Sequence, residues 1–310
     1  MLKLSALDSM DSFVRYKVPL AKYTTWGVGG MAEVFFTPRD RDELSEAVRC
    51  AQDNAENFFV LGGGSNVLIS DGMIGTPIIL TTEMSGISVR ISGDEVFLDC
   101  LAGTKLKDVL SLSVLNGWSG LEFAAGIPGT VGGAVAGNAG TLSGNVGRTV
   151  AGIVTIEADG SVMEWNGREI DWEYRKCPLF IDSGRIAYKV TYGLRALGKN
   201  DVAIAMKSAM AGRKSQPVSS RTAGCVFKNP AGDSAGRLLD ASGCKGMAVG
   251  GARVSDVHAN FIENFGNCTA GDILSLVASC RKRVWERFGA TLDFEIKTLG
   301  IPEEILNAPG

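Results

Sequence analysis

GIPGTVGGAVAGNAG, residues 126–140, is the stretch from which the rest of the chain is best read. Six of its fifteen residues are glycine, and alanine, valine and threonine supply most of the rest. Side chains this small let a flat ligand or its phosphates lie directly on the backbone, and they equally let helices pack closely. Density alone does not separate the two readings. A second stretch does: Gly62-Gly63-Gly64-Ser65-Asn66-Val67-Leu68 follows the apolar run 58–61, which reads as a short buried strand. Glycine N–H groups exposed in succession after a strand form a concave anion site, and Ser65 and Asn66 add side-chain donors. Together the two stretches favour a dinucleotide held by main chain. The loop 62–68 is not a Rossmann fingerprint, because GxGxxG does not fit it. Residues 193–200, GLRALGKN, come near a phosphate loop but end in Asn where magnesium ligation needs Ser or Thr, and they read as coincidence.

Outward from these loops the pattern is mixed α and β. Leu44, Ala47, Val48 and Ala51 recur at helical steps within 38–57, and 77–81 is a further strand. Val89 and Ile91 against Val96 and Leu98 predict a hairpin, followed by a helix over 104–116 that stops at Gly117. A second hairpin, 152–157 with 162–165, turns on Asp159-Gly160, and 186–194 completes the middle region. Beyond 198–200 the stripe Val202, Ala205, Met206, Ala209 and Met210 predicts a helix. Another helix starts at Thr269 with a capping-box pattern and buries Ile273, Leu276, Val277, Cys280 and Val284. Leu292, Phe294 and Ile296 alternate with charged residues, which predicts a closing half-buried strand.

Composition excludes several functions. The 31 Lys and Arg against 34 Asp and Glu leave a formal charge of −3, so nucleic-acid binding through bulk charge is not expected. Glycine, 40 of 310 residues, is about twice its usual ~7% and follows no collagen period. The seven cysteines contain no CxxC pair and read as reduced thiols, and His258 is the one histidine, so no metal centre is expected. The N-terminal stretch interrupts its apolar residues with Lys3, Asp8 and Asp11, and no run approaches the ~18 apolar residues of a membrane span. A cytoplasmic, membrane-free protein is the expectation.

The polar candidates are less distinctive. Cys225 lies in a glycine-flanked turn, AGCVFKNP (223–230), with Lys228 close in sequence; Asp233 or Ser234 is placed to cap the helix containing Leu238 and Leu239. Arg175 in WEYRK and Glu295 near the C-terminus are, one by one, ordinary solvated charges, and a lone cysteine is more often structural than reactive.

In order, however, the segments resemble the bacterial UDP-N-acetylenolpyruvoylglucosamine reductases, flavoenzymes of peptidoglycan precursor synthesis. The matching stretches are TTWGVGG (24–30), GGGSNVL (62–68), GLEFAAGIPGTVGGAVAGNAG (120–140), EYR (173–175), AGCVFKNP (223–230), GDSAGRLLDASG (232–243), KGMAVGGARVSDVHANFI (245–262) and FEIKTLG (294–300). They span nearly the whole chain. The resemblance implies an α+β fold: an FAD-binding unit of the vanillyl-alcohol-oxidase type built from two α+β subdomains, 1–79 and 80–199, a C-terminal α+β substrate domain, 200–301, and a tail, 302–310.

It also implies bound FAD, NADPH as hydride donor, UDP-N-acetylenolpyruvoylglucosamine as substrate and a monomeric enzyme without nucleic-acid or membrane partners. Hydride reaches the enolpyruvyl C3 and an acid protonates C2, giving UDP-N-acetylmuramate. By motif match Arg175 is the cation, Glu295 the assisting carboxyl and Cys225 the proton donor. The family usually has serine where Cys225 stands, and often an aromatic residue within 138–144. Gly62, Gly63, Gly64, Ser65 and Asn66 are implied to bind the FAD pyrophosphate, with Gly126, Gly129, Thr130, Gly132 and Gly133 opposite. Tyr174, Lys228, Asn229 and His258 are implied to face the substrate, although His258 reads equally well as a structural histidine. No tyrosine-bearing insertion separates Tyr174 from Glu295, which places the chain in the shorter branch of the family. Two alternatives remain: another FAD-dependent oxidoreductase of this fold, and a non-catalytic nucleotide-binding relative.

Overall fold

The computed structural model describes residues 10, 12–54, 57–181, 183–211, 213, 216, 217 and 221–306. Residues 307–310 of the expected tail, and Lys3, Asp8 and Asp11, lie outside them. The chain divides into two compact units, one of Met1–Tyr16, Val34–Gly63 and Thr76–Arg213, the other of Lys17–Glu33, Gly64–Gly75 and Lys214–Gly310.

The first unit holds two hydrophobic cores. In one, parallel pairing joins Phe35 and Phe36 to Ile78 and Ile79, and Phe59–Leu61 to Ile78–Leu80. These strands are continuous apolar runs, as strands of parallel sheets tend to be. Helix α1 (Arg41–Asn54) covers them with Leu44, Ala47, Val48 and Ala51, each fully buried, so the helical stripe read from the sequence is the buried face. The other core lies on an antiparallel sheet ordered Val162–Asn166, Val150–Ile156, Ile186–Ala196, Glu95–Leu101, Ile87–Ser92, with Trp118–Ser119 added beside Ile186–Ala196. Both expected hairpins are present. Alternation puts Val96, Leu98 and Cys100 inward, where α2 (Leu106–Asn116) packs Leu106, Val109 and Leu110. Gly117 ends α2 at φ +74°, a left-handed conformation that a side chain would strain. Inside the glycine-rich stretch a short helix, α3 (Val131–Ala136), is N-capped by Thr130. Helix α4 (Lys199–Ala211) buries Val202, partly covers Met206 and leaves Met210 56% exposed. Residues 202, 206 and 209 share one narrow face from which 210 is rotated away.

The second unit is built on α5 (Ala235–Ala241), α6 (Ala270–Phe288) and a three-stranded antiparallel sheet, Ala248–Val249, Ala252–Val254 and Ile262–Asn264. Ser234 caps α5. Thr269 and Asp272 form the reciprocal capping box of α6, whose buried face is the expected one. A last helical turn, α7 (Glu303–Leu306), ends the described chain. Lys297–Leu299 pairs in parallel with Val67–Ile69. The closing strand therefore begins later than the alternation suggested. Leu292 and Ile296 are buried, yet 292–296 forms no ladder: Phe294 makes an isolated bridge to Phe227, and the chain then bends before Lys297.

Candidate active site

In the first unit the two glycine stretches meet. A Cβ at Gly62 would lie 2.6 Å from Thr130 Oγ1, and one at Gly63 would lie 3.1 Å from Gly129 Cα. The strand Phe59–Leu61 delivers Gly62 to this point. The opposite stretch is fixed by backbone bonds to the turn before α2: Leu106 N–H donates to Gly129 O at 3.0 Å and Val131 N–H to Thr104 O at 2.9 Å. Thr130 is buried, and its Oγ1 accepts from Gly133 N–H at 3.4 Å. Gly126 and Gly129 have φ of +74° and +109°. The result is two stretches in direct contact, Gly63 against the main chain of Gly129 and Gly62 against the Thr130 side chain, with glycine on the near side of both contacts; glycine main chain of this kind is what a dinucleotide diphosphate would need. Gly132 is pressed on Ala102: its N–H donates to Ala102 O at 2.8 Å, and a Cβ there would come within 2.9 Å of Ala102 Cβ. Packing alone therefore accounts for that glycine.

The end of the same stretch, at Gly140, anchors Arg175. Tyr174 and Arg175 form the tip of a tight turn whose flanks, Glu173 and Lys176, exchange backbone hydrogen bonds. Asn138, buried, donates from Nδ2 to Glu173 O at 2.8 Å and accepts from Gly147 N–H at 3.0 Å. Arg175 itself has φ +58° and donates from Nη1 to Gly140 O at 2.6 Å. A left-handed arginine is a strained residue held by its surroundings, a state that concentrates at functional sites. Tyr174 is 64% exposed beside it.

In the second unit the structure brings Cys225 and Glu295 onto adjacent backbone. Residues 225–228 run between 258–262 on one side and 293–295 on the other. Cys225 bridges Phe261 and Phe227 bridges Phe294. Glu295 N–H donates to Val226 O at 2.9 Å, and Lys228 N–H to Asp293 O at 2.8 Å. Asn260, buried, holds the other edge: Phe227 N–H donates to its Oδ1 at 2.9 Å, its Nδ2 donates to Phe227 O at 2.8 Å, and Val226 N–H donates to its carbonyl. This asparagine had no role in the sequence reading, although it sits inside the KGMAVGGARVSDVHANFI match. Truncating it strands a buried donor and a buried acceptor. Asn260→Ala is expected to cost about 2–5 kcal/mol of stability, read as a fall in the denaturation midpoint; a loss under about 1 kcal/mol would mean water takes over both bonds.

The remaining candidates divide. Lys228 is exposed. Asn229 accepts from Ala235 N–H at 3.0 Å and so shapes the entry to α5. Asn66 donates from Nδ2 to Glu295 O at 3.2 Å, and its own carbonyl accepts from Lys297 N–H. Gly64, in the same unit, has φ +61°, and a Cβ there would strike Tyr23 O. His258 accepts from Asn260 N–H at Nδ1 (3.2 Å), packs edge-on against Phe261 and closely against Gly236. Burial, reinforced by the charge of Lys245, lowers its pKa below the usual histidine value, which favours the neutral ring whose Nδ1 is the acceptor. Its contacts make it the support of Asn260. Of the cysteines, burial pushes Cys100 up to about 12 and Cys177 and Cys268 up to about 11, while Cys50, Cys244 and Cys280 are buried. Cys225 is half-buried in a turn opened by Gly224 at φ +80°.

Two family models match the chain: the C-terminal domain of UDP-N-acetylenolpyruvoylglucosamine reductase over residues 216–299 and an FAD binding domain over 32–166. Curated proteins named UDP-N-acetylenolpyruvoylglucosamine reductase are similar along the chain. The one from Moorella thermoacetica is 40% identical over 285 residues, 91% of this chain and 92% of its own. That from Desulfosudis oleivorans is 40% identical over 299 residues, 93% and 95%. The crystal structure of UDP-N-acetylenolpyruvylglucosamine reductase from Thermus caldophilus superposes with a TM-score of 0.79 at 36% identity, covering 93% of this chain and 100% of that one. The glucose dehydrogenase Phl p 4.0202 superposes at a TM-score of 0.51 with 15% identity, over 63% of this chain and 44% of that one, a likeness of fold alone. The expected α+β architecture with an FAD-binding unit is borne out.

Proposed function

Because the chain belongs to the UDP-N-acetylenolpyruvoylglucosamine reductase family, we propose that it makes UDP-N-acetylmuramate from UDP-N-acetylenolpyruvoylglucosamine, with NADPH as electron source. The observation that supports this reading at individual residues is the bond from Glu295 N–H to Val226 O, which joins the backbone of Glu295 to the segment that carries Cys225. FAD, when bound, supplies the hydride that the enolpyruvyl C3 receives. Gly62 and Gly63 with Gly129 and Thr130 would hold its diphosphate by main chain. Arg175 offsets the negative charge that gathers on the substrate carboxylate as C3 is reduced, a task for a cation fixed in advance. Cys225 gives its proton to C2. A thiol, with a reference pKa near ~8.5, releases a proton more readily than the serine hydroxyl usual in the family, but its S–H is a weaker hydrogen-bond donor. Glu295 assists that transfer. Lys228 and Tyr174, both exposed, are assigned to the sugar nucleotide. His258 and Asn229 contribute indirectly, through the turns they hold.

The test is optical and anaerobic. The purified protein should be yellow, bleach with NADPH and regain colour when UDP-N-acetylenolpyruvoylglucosamine is added. A protein that bleaches but stays colourless with this substrate would contradict the assignment.

A further inference from the structure

We infer that Arg281, on α6, is a positioning residue for Glu295 and, through it, for the segment that carries Cys225; the inference rests on the function proposed above. Arg281 is half-buried, and burial lowers its pKa from the usual arginine value, against the opposing charge of Asp293. Its guanidinium is committed to main chain: Nε donates to Leu292 O at 3.0 Å and Nη1 to Leu306 O at 2.6 Å. The same group lies 4.2 Å from the centroid of Phe294 and 5.8 Å from that of Phe227. Those two rings stack on each other, with centroids 5.8 Å apart and planes at 20°.

The placement matters because the chain is irregular there. Residues 293–295 meet 226–228 through the single bridge Phe227–Phe294 and two flanking backbone bonds; the ladder with Val67–Ile69 begins only at Lys297, on the C-terminal side of Glu295. A one-residue slip would turn Glu295 to the opposite face. Arg281 adds a constraint on the N-terminal side of Glu295. It grips the carbonyl of Leu292 and lies over the Phe294 ring, bracketing the approach to Glu295, and the stacked Phe227 carries the constraint to the residues following Cys225. Leu306, in the last described helical turn, supplies the second carbonyl that orients the fork. Lysine would keep the charge but not the planar two-way donor.

Stopped-flow measurement of the two half-reactions tests this. In Arg281→Lys, flavin reduction by NADPH should stay within about twofold of wild type, while reoxidation by UDP-N-acetylenolpyruvoylglucosamine slows by about tenfold or more. Placed in a Glu295→Gln background, the same substitution should change reoxidation by less than about twofold, since the carboxyl it positions is gone. Phe294→Leu, which removes the ring beneath the guanidinium, should reproduce the pattern and serves where Arg281→Lys does not fold. Equal slowing of both half-reactions, or a full effect persisting in the Glu295→Gln background, would make Arg281 merely structural. A variant reoxidised as fast as wild type overturns the inference alone; a wild type that the substrate never reoxidises overturns the proposed function and the inference with it.

Discussion

Cys225→Ala is expected to leave flavin reduction by NADPH intact and to slow reoxidation by the sugar nucleotide by about 100- to 10,000-fold, the range for loss of a positioned general acid. The asymmetry follows from the chemistry: hydride transfer from NADPH needs no proton from the protein, whereas the enolpyruvyl C2 does. The backbone around Cys225 stays in place without the thiol, because the bonds of Val226 and Phe227 to Asn260 and of Glu295 to Val226 involve no sulfur. Cys225→Ser restores a donor on the same carbon and should retain turnover. Rapid-mixing absorbance of the flavin band separates the steps, and equal reoxidation rates in wild type and Cys225→Ala would remove the thiol from the mechanism.

The second large effect is expected at Gly62. Its missing Cβ is what lets the loop close on Thr130, since even one added carbon would stand 2.6 Å from Thr130 Oγ1. Thr130 cannot step aside, being buried and engaged in capping α3. Gly62→Val should therefore separate the two stretches of main chain, at a cost of about 1–3 kcal/mol in overpacking, and yield protein that purifies without flavin. Gly63→Ala, whose Cβ would meet Gly129 Cα at 3.1 Å, should lose flavin less completely. The ratio of flavin to protein absorbance after purification reads both, with circular dichroism confirming that the fold persists. Full flavin content in Gly62→Val would show that this contact does not shape the cofactor site.

What the sequence revealed divides along physical lines. Periodic burial was legible: the α1 stripe, the Thr269–Asp272 cap and the Gly117 stop all appear where spacing and capping chemistry put them. The pairing of glycine loops was legible as well, because only glycine allows the close approach found at Gly62 and Gly63. Less legible was the end of the chain, where alternation from Leu292 to Ile296 reports burial faithfully yet not a ladder. A strand needs a partner, and pairing between distant segments leaves no trace in local spacing. For the same reason Asn138, Asn260 and Arg281 were missed as supports. Each acts through backbone groups far away in sequence, and nothing about an isolated asparagine or arginine announces which carbonyl it will meet. Asn66 illustrates the converse: its place in the glycine loop suggested a cofactor contact, while its amide is bonded to the carbonyl of Glu295.

The most direct test of the account is a crystal structure of the oxidised enzyme with FAD and UDP-N-acetylenolpyruvoylglucosamine bound. The Cys225 sulfur is expected within direct or single-water reach of the enolpyruvyl C2, with the Arg175 guanidinium on the neighbouring carboxylate and Glu295 on the same side. A substrate seated with its enolpyruvyl group away from Cys225, or with a different side chain facing C2, would contradict it.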